Sequence, residues 1–300
     1  MDLRAMLMGF GFALMWSSAF TSARMIVVDA PPLTALSLRF LLSGLIGIAL
    51  AKMLGQSWRL TRAQWRATAI FGLMQNAAYL GFNFVAMQWV QASVAAIVAS
   101  TMPLLVGLAG WLVYGERLRP LGIAGLAAGL AGVTIIMGAR LSGGVDPMGL
   151  GLCILGVIAL TVATLAVRGA SSGGNLLMIV GLQMLVGSAV LAVFALMFET
   201  WAVNWSPRLV LAFLYTTLVP GLAATWVWFS LVARIGTVRA STFHFLNPFL
   251  GVAIAALLLN ERLGWADILG VVIIAGGILA VQIAKQPAPN TPKPASVPRA

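Results

Sequence analysis

A chain of 300 residues in which 61% are hydrophobic and only 8% charged, with a mean hydropathy of +1.02, exposes too much apolar surface for a soluble domain; its composition is that of a membrane protein. Lys and Arg number 18 against 7 Asp and Glu, but they stand singly or in small groups between apolar runs, so they read as topology signals and not as a nucleic-acid-binding tract. The single cysteine, Cys153, lies inside an apolar run, which excludes an intrachain disulfide, and nothing in the sequence resembles a metal or cofactor site.

In chain order, Arg4 precedes an apolar run at about 7–25. It is long for the core of a secretory signal and carries Trp16, Ser17, Ser18 and Thr21, a half-polar face that suits a bundle interior better than a cleaved leader. Nine further spans are predicted at about 33–54, 67–88, 91–114, 120–139, 147–168, 175–198, 208–232, 238–259 and 265–284, each close to the ~20 residues that cross a ~30 Å hydrocarbon core. The stretch Ser93 to Arg119 returns 145 residues later as Val238 to Gly264, with Pro103 on Pro248, Leu105 on Leu250 and Glu116-Arg117-Leu118 on Glu261-Arg262-Leu263. Farther on, Gly125 meets Gly270 and Gly132 meets Gly277. The chain is therefore a tandem duplication, with repeats expected at 1–140 and 141–284 and a proline-rich tail at 285–300 expected to be disordered and cytoplasmic. An odd number of crossings per repeat makes the second half enter from the opposite side. The expected fold class is an all-α polytopic membrane protein of ten transmembrane helices, two inverted five-helix repeats around a central cavity.

Loop charge orients this arrangement. With the N-terminus on side one, that side collects Arg4, Lys52, Arg59, Arg62, Arg66, Arg117, Arg119, Arg168, Arg234, Arg239, Lys285, Lys293 and Arg299, and the other only Arg24, Arg140, Arg208 and Arg262. Both termini are expected in the cytoplasm, with the chain in the cell's inner (plasma) membrane.

Three features carry a family resemblance: Trp16-Ser17-Ser18-Ala19-Phe20 in the first span, Leu38-Arg39-Phe40 in the second, and the proline-to-Glu-Arg-Leu pattern used twice. Over about 5–284 the chain resembles the drug/metabolite transporter superfamily, in its ten-helix exporter branch with two EamA-type repeats, and within it the bacterial exporters of aromatic and other neutral amino acids. The resemblance implies a transport cycle by alternating access.

Spacing nominates the pathway. Asn76, Tyr79 and Asn83 in the third span form one polar helical face, and Ser241, His244 and Asn247 form another one turn before Pro248; such faces line a bundle interior or bond between helices. Ser17 and Ser100 are counted with them. Of the aromatics, Trp16, Tyr79 and Trp226 lie deep in their spans, whereas Trp58, Trp65, Trp89, Trp111, Trp201, Trp205 and Trp265 sit near span ends as belt residues. Pro103 and Pro248 break two mirrored spans and are candidate hinges, while Pro220-Gly221 has no sequence counterpart, since 145 residues earlier stand Gln75-Asn76. Glu116 and Glu261 are expected to cap the helix that follows each. Arg39, the one basic residue inside a span, reads either as an anchor near the outer mouth or as a carboxylate-recognition group.

A single His with no carboxylate at depth offers no catalytic set, so no enzyme activity is expected. What these residues point to is export of neutral or zwitterionic metabolites, neutral and aromatic amino acids first, by facilitated diffusion and as a monomer needing only substrate and bilayer. The alternatives are export of other small amphipathic compounds or drugs, proton-coupled through His244, or a non-transporting membrane scaffold.

Overall fold

The computed structural model describes residues 2–113, 115, 119–166, 173–236 and 240–284. All its regular elements are helical. The first half contains α1 (Leu3–Asp29), α2 (Pro32–Met53), α3 (Arg62–Phe71), a π segment (Gly72–Tyr79), α4 (Leu80–Ala86), α5 (Ala92–Ser100), α6 (Met102–Leu112) and α7 (Pro120–Ser142). The second contains α8 (Pro147–Ala166), α9 (Leu176–Phe198), α10 (Pro207–Thr216), a π segment (Thr217–Ala223), α11 (Ala224–Ile235), a 3-10 turn (Thr242–Leu246), α12 (Asn247–Leu259) and α13 (Trp265–Ala284). Among the described residues, nine helices are long and apolar enough to cross a membrane. The remaining crossing, 62–86, runs through α3, its π segment and α4 and is the more polar for Gln64, Arg66, Gln75, Asn76 and Asn83. The protein is an all-α polytopic membrane protein.

Packing repeats with two-fold logic. The antiparallel α7 and α13 meet where Gly125 faces Gly277 and Gly132 faces Gly270. Adding 145 to one pair of positions returns the other, the signature of a two-fold axis between them. A Cβ on Gly125 would stand 2.7 Å from the Gly277 carbonyl oxygen, so only glycine permits this backbone approach. The same exchange relates α1 on α12 to α8 on α5 and α6, and α1 on α10 and α11 to α8 on the third crossing. The flank formed by α7 and α13 has its own small apolar core (Leu104, Ile136, Val252, Ile274, Ile278), distinct from the main core under α1, α2, α5 and α8.

Both prolines stand in the first turn of a helical segment. Met102 begins α6 and Asn247 begins α12, 145 residues apart, and Pro103 and Pro248 each follow by one. There the missing N–H has no intrahelical acceptor to lose, so the crossing breaks before the proline instead of kinking at it. The π segments are mirrored too: Gly72 and Thr217, their first residues, are again 145 apart. Gln75-Asn76 is thus the structural counterpart of Pro220-Gly221, although only one half uses proline.

The Glu261 reading needs correction. Its carboxylate accepts from Ala92 N at 2.8 Å and Ser93 N at 3.1 Å, capping α5 in the other half and not the following helix. Glu199 likewise holds the start of α2 through Leu33 N at 2.7 Å and Thr34 N at 2.8 Å. At Met178, the mirror of Leu33, a different acceptor serves: Gln56 Oε1 accepts from Met178 N at 3.1 Å at the start of α9. Glu116 and the tail at 285–300 lie outside the described residues.

Candidate functional site

Between the halves lies a partly open cleft with a cavity volume of about 60 Å³. Its walls come from α1 (Trp16, Ala19, Phe20, Ala23), α2 (Arg39, Phe40), the third crossing (Gln75, Asn76, Tyr79, Leu80, Asn83, Phe84, Met87), Met184 of α9, and Pro220, Gly221 and Thr225 of the eighth crossing. One wall is aromatic, another carries amides, and no carboxylate lines it among the described residues.

The polar face of the third crossing is tied down. Asn76 donates from Nδ2 to the Gln183 carbonyl at 2.9 Å, its Cβ filling the place a side chain on Gly187 would take. Asn83 donates from Nδ2 to the Tyr79 carbonyl at 2.8 Å, leaving its buried Oδ1 without a protein partner. Gln75 joins the lining because the π segment widens the turn and brings a residue adjacent to Asn76 onto the same wall. Across the cleft, the carbonyls at the start of the second π segment are bonded from α2: Arg39 Nε donates to Thr216 O at 3.1 Å and Ser43 Oγ to Thr217 O at 3.3 Å.

Toward the N-terminal end of α1 the aromatic wall continues as a cluster. Phe12 stands 5.8 Å from Trp16 and 4.7 Å from Trp228, and the His244 ring meets Phe12 and Trp228 edge-on at 5.5 and 5.2 Å. His244 Nδ1 lies 3.0 Å from Asn247 Nδ2, and Ser17 Oγ donates to the Asn247 carbonyl at 3.3 Å.

Of the residues nominated from sequence, Trp16, Asn76, Tyr79 and Asn83 meet in the cleft, and Ser17, His244 and Asn247 meet in the adjoining cluster. Three lie elsewhere. Ser100 bonds back to the Ala96 carbonyl at 2.6 Å within α5, and Ser241 Oγ donates to Gln282 Oε1 of α13 at 3.0 Å. Trp226 is 63% exposed on the outside of the bundle, because its face is set after the π segment re-registers the helix. The seven tryptophans read as belt residues are all exposed. Phe12, Gln75, Met184 and Thr225 were not nominated; Gln75 and Thr225 carried a signal, as polar residues mid-span.

Two mirrored crossings with breaks and π segments around one cleft is the geometry of a transporter built from repeats. The EamA-like transporter family matches the sequence twice, over residues 3–138 and 147–282. The chain belongs to that family. As a family member it is a membrane transporter, and its relatives agree. It is 28% identical to the uncharacterized inner membrane transporter YedA of Escherichia coli K12 over 96% of this chain and 94% of that protein. It is 23% identical to the uncharacterized transporter YvbV of Bacillus subtilis over 92% and 90%. The aromatic amino acid exporter YddG of Ancylobacter novellus is 34% identical over 46% of this chain and 48% of its own length. A solved crystal structure shares the fold at a TM-score of 0.70 and 24% identity, covering 94% of this chain and 98% of that one.

Proposed function

We propose that this EamA transporter exports small neutral or zwitterionic metabolites, neutral and aromatic amino acids first, across the inner membrane with both termini in the cytoplasm. The observation that carries the reading is the cleft itself: aromatic rings of Trp16, Phe20, Tyr79 and Phe84, amides of Gln75, Asn76 and Asn83, and no carboxylate among the described residues. Such walls suit a flat, partly apolar solute with a polar end and disfavour a multidrug cation. The half-length similarity to an aromatic amino acid exporter supports the same class. Transport proceeds as the two halves exchange places about the cleft, without proton coupling, His244 acting as a hydrogen-bonding wall.

The test is flux of a labelled amino-acid panel in proteoliposomes, with equal substrate on both sides and an imposed pH gradient in one arm. Movement of phenylalanine, tryptophan and neutral aliphatic amino acids, equilibrating without accumulation in wild type and His244→Gln alike, is expected. Flux confined to cations or phosphorylated solutes would remove the substrate class, and accumulation abolished by His244→Gln would make that residue a coupling site. For orientation, a cysteine near Asn204 should label from outside intact cells; labelling only after permeabilisation reverses it.

A further inference from the structure

We propose that Arg39 is the anchor for a carboxylate on the transported solute, a role that rests on the amino-acid reading of the cleft. Arg39 is the eighth residue of α2, about 10 Å along it at 1.5 Å per residue, and is 5% exposed. Its Nε is committed to the Thr216 carbonyl at 3.1 Å, and the guanidinium carbon lies 5.1 Å from the Phe40 ring centroid. The ion pairs among the described residues are Arg140–Asp267 and Arg234–Asp2, so Arg39 has no carboxylate there, and its two Nη groups have no acceptor among those residues. A guanidinium does not shed its proton, and an unpaired charge inside a membrane protein is costly enough that it marks a site for an opposite charge. The cleft is where that charge can come from. Gly221 borders it beside Nη2, and even a methyl group there would stand only 3.6 Å from that nitrogen, so the missing side chain leaves the approach open.

The second half supplies a control written into the fold. Adding 145 to 39 gives Met184, which lines the same cleft from α9. The frame tolerates an uncharged thioether at the mirrored position, so the cation in the first half is not something the packing of this crossing requires. One bond from Nε holds the guanidinium in a fixed orientation while the Nη pair stays available for a bidentate carboxylate. The apolar body of the solute then lies along Trp16 and Tyr79.

The experiment compares three probes on the full-length protein in proteoliposomes and in detergent: phenylalanine, phenylalaninol, which keeps the ring and amine but lacks the carboxylate, and 3-phenylpropionate, which keeps the ring and carboxylate but lacks the amine. Arg39→Met should weaken phenylalanine and 3-phenylpropionate by about 10- to 100-fold, the range for one lost hydrogen bond to a charged group, and shift phenylalaninol less than about threefold. Arg39→Lys, which keeps charge but not the fork, should fall between, and Arg39→Gln replaces the methionine variant if the latter does not fold. Equal losses for all three probes, the mark of a structural role, would overturn the anchor, as would no loss for any. A wild type that ignores phenylalanine yet binds 3-phenylpropionate through Arg39 would retire the amino-acid reading and leave the anchor standing.

Discussion

At one register of the third crossing a π segment brings Gln75 and Asn76 to the cleft, and at the same register of the eighth another brings Pro220 and Gly221. Arg39 faces Met184 across the same comparison, while the breaks before Pro103 and Pro248 and the glycine contacts of α7 with α13 are shared. The shared features are those that set backbone geometry. The differing ones are side chains that line the cleft. In the proposed cycle both halves make the same motion in opposite senses, which calls for common backbone geometry, whereas a single asymmetric solute has no use for two identical walls.

The sharpest way to break this comparison is at the proposed hinges. Pro103→Ala and Pro248→Ala should each slow flux on the order of tenfold, a barrier change of about 1.4 kcal/mol, with folded yield retained, since alanine is accepted in a first turn. Stopped or single-turnover flux checks this. Similar losses in both halves support a shared motion, and loss in one alone would assign the cycle to that half.

A smaller effect is expected from the walls. Asn76→Ala removes the bond to the Gln183 carbonyl and should cost roughly 0.6–1 kcal/mol of thermal stability together with a change in substrate preference. Its mirror, Gly221→Ala, removes no hydrogen bond, and although its Cβ would meet the Thr216 carbonyl oxygen at 3.2 Å, it should cost less stability than Asn76→Ala. Equal effects would mean that the lining difference carries no recognition.

Smaller again are the caps. Glu261→Gln and Glu199→Gln weaken the carboxylate at the start of α5 and of α2 and should each cost about 0.3–1 kcal/mol, read as a fall in melting temperature. Gln56, which plays the corresponding part at the start of α9, is already neutral, so Gln56→Glu should shift stability the other way.

The smallest effect belongs to the exposed pair of Asp2 and Arg234, which joins the start of α1 to the end of α11. The Arg234 guanidinium, then the Ala5 N–H, hold the Asp2 carboxyl from its usual 3.8 down to about 2. A depressed carboxylate stabilises the fold fully above the unfolded value and loses that contribution as pH falls toward 2. Between pH 5 and 8 the pair is constant, so any flux change there should be identical in wild type and Asp2→Asn.

The duplication was legible because prolines and close-packed glycines are dictated by local backbone geometry, which sequence records directly. The face of Asn76, Tyr79 and Asn83 was legible because three polar residues at helical spacing stand out in an apolar run. Gln75 was passed over for its neighbour Asn76, although it stands four residues, about one helical turn, before Tyr79. Trp226 misled because it was chosen for its depth in the span, and depth does not tell which side of the helix a residue occupies. Phe12 and Met184 are apolar residues among many, and nothing local separates a cleft wall from a core. Glu261 was assigned to its neighbour in sequence, whereas its partners, Ala92 and Ser93, lie in the other repeat and become visible only once the chain is folded.

The most direct test of the central claim, that solute passes through the cleft between the halves, is substrate protection at Ala19, a half-buried position on its α1 wall. In a Cys153→Ala background, Ala19→Cys should react with a small thiol reagent in proteoliposomes, saturating phenylalanine should slow that reaction, and modification should stop flux. A modified protein that still carries phenylalanine at the wild-type rate, with a reaction rate indifferent to substrate, would contradict the account.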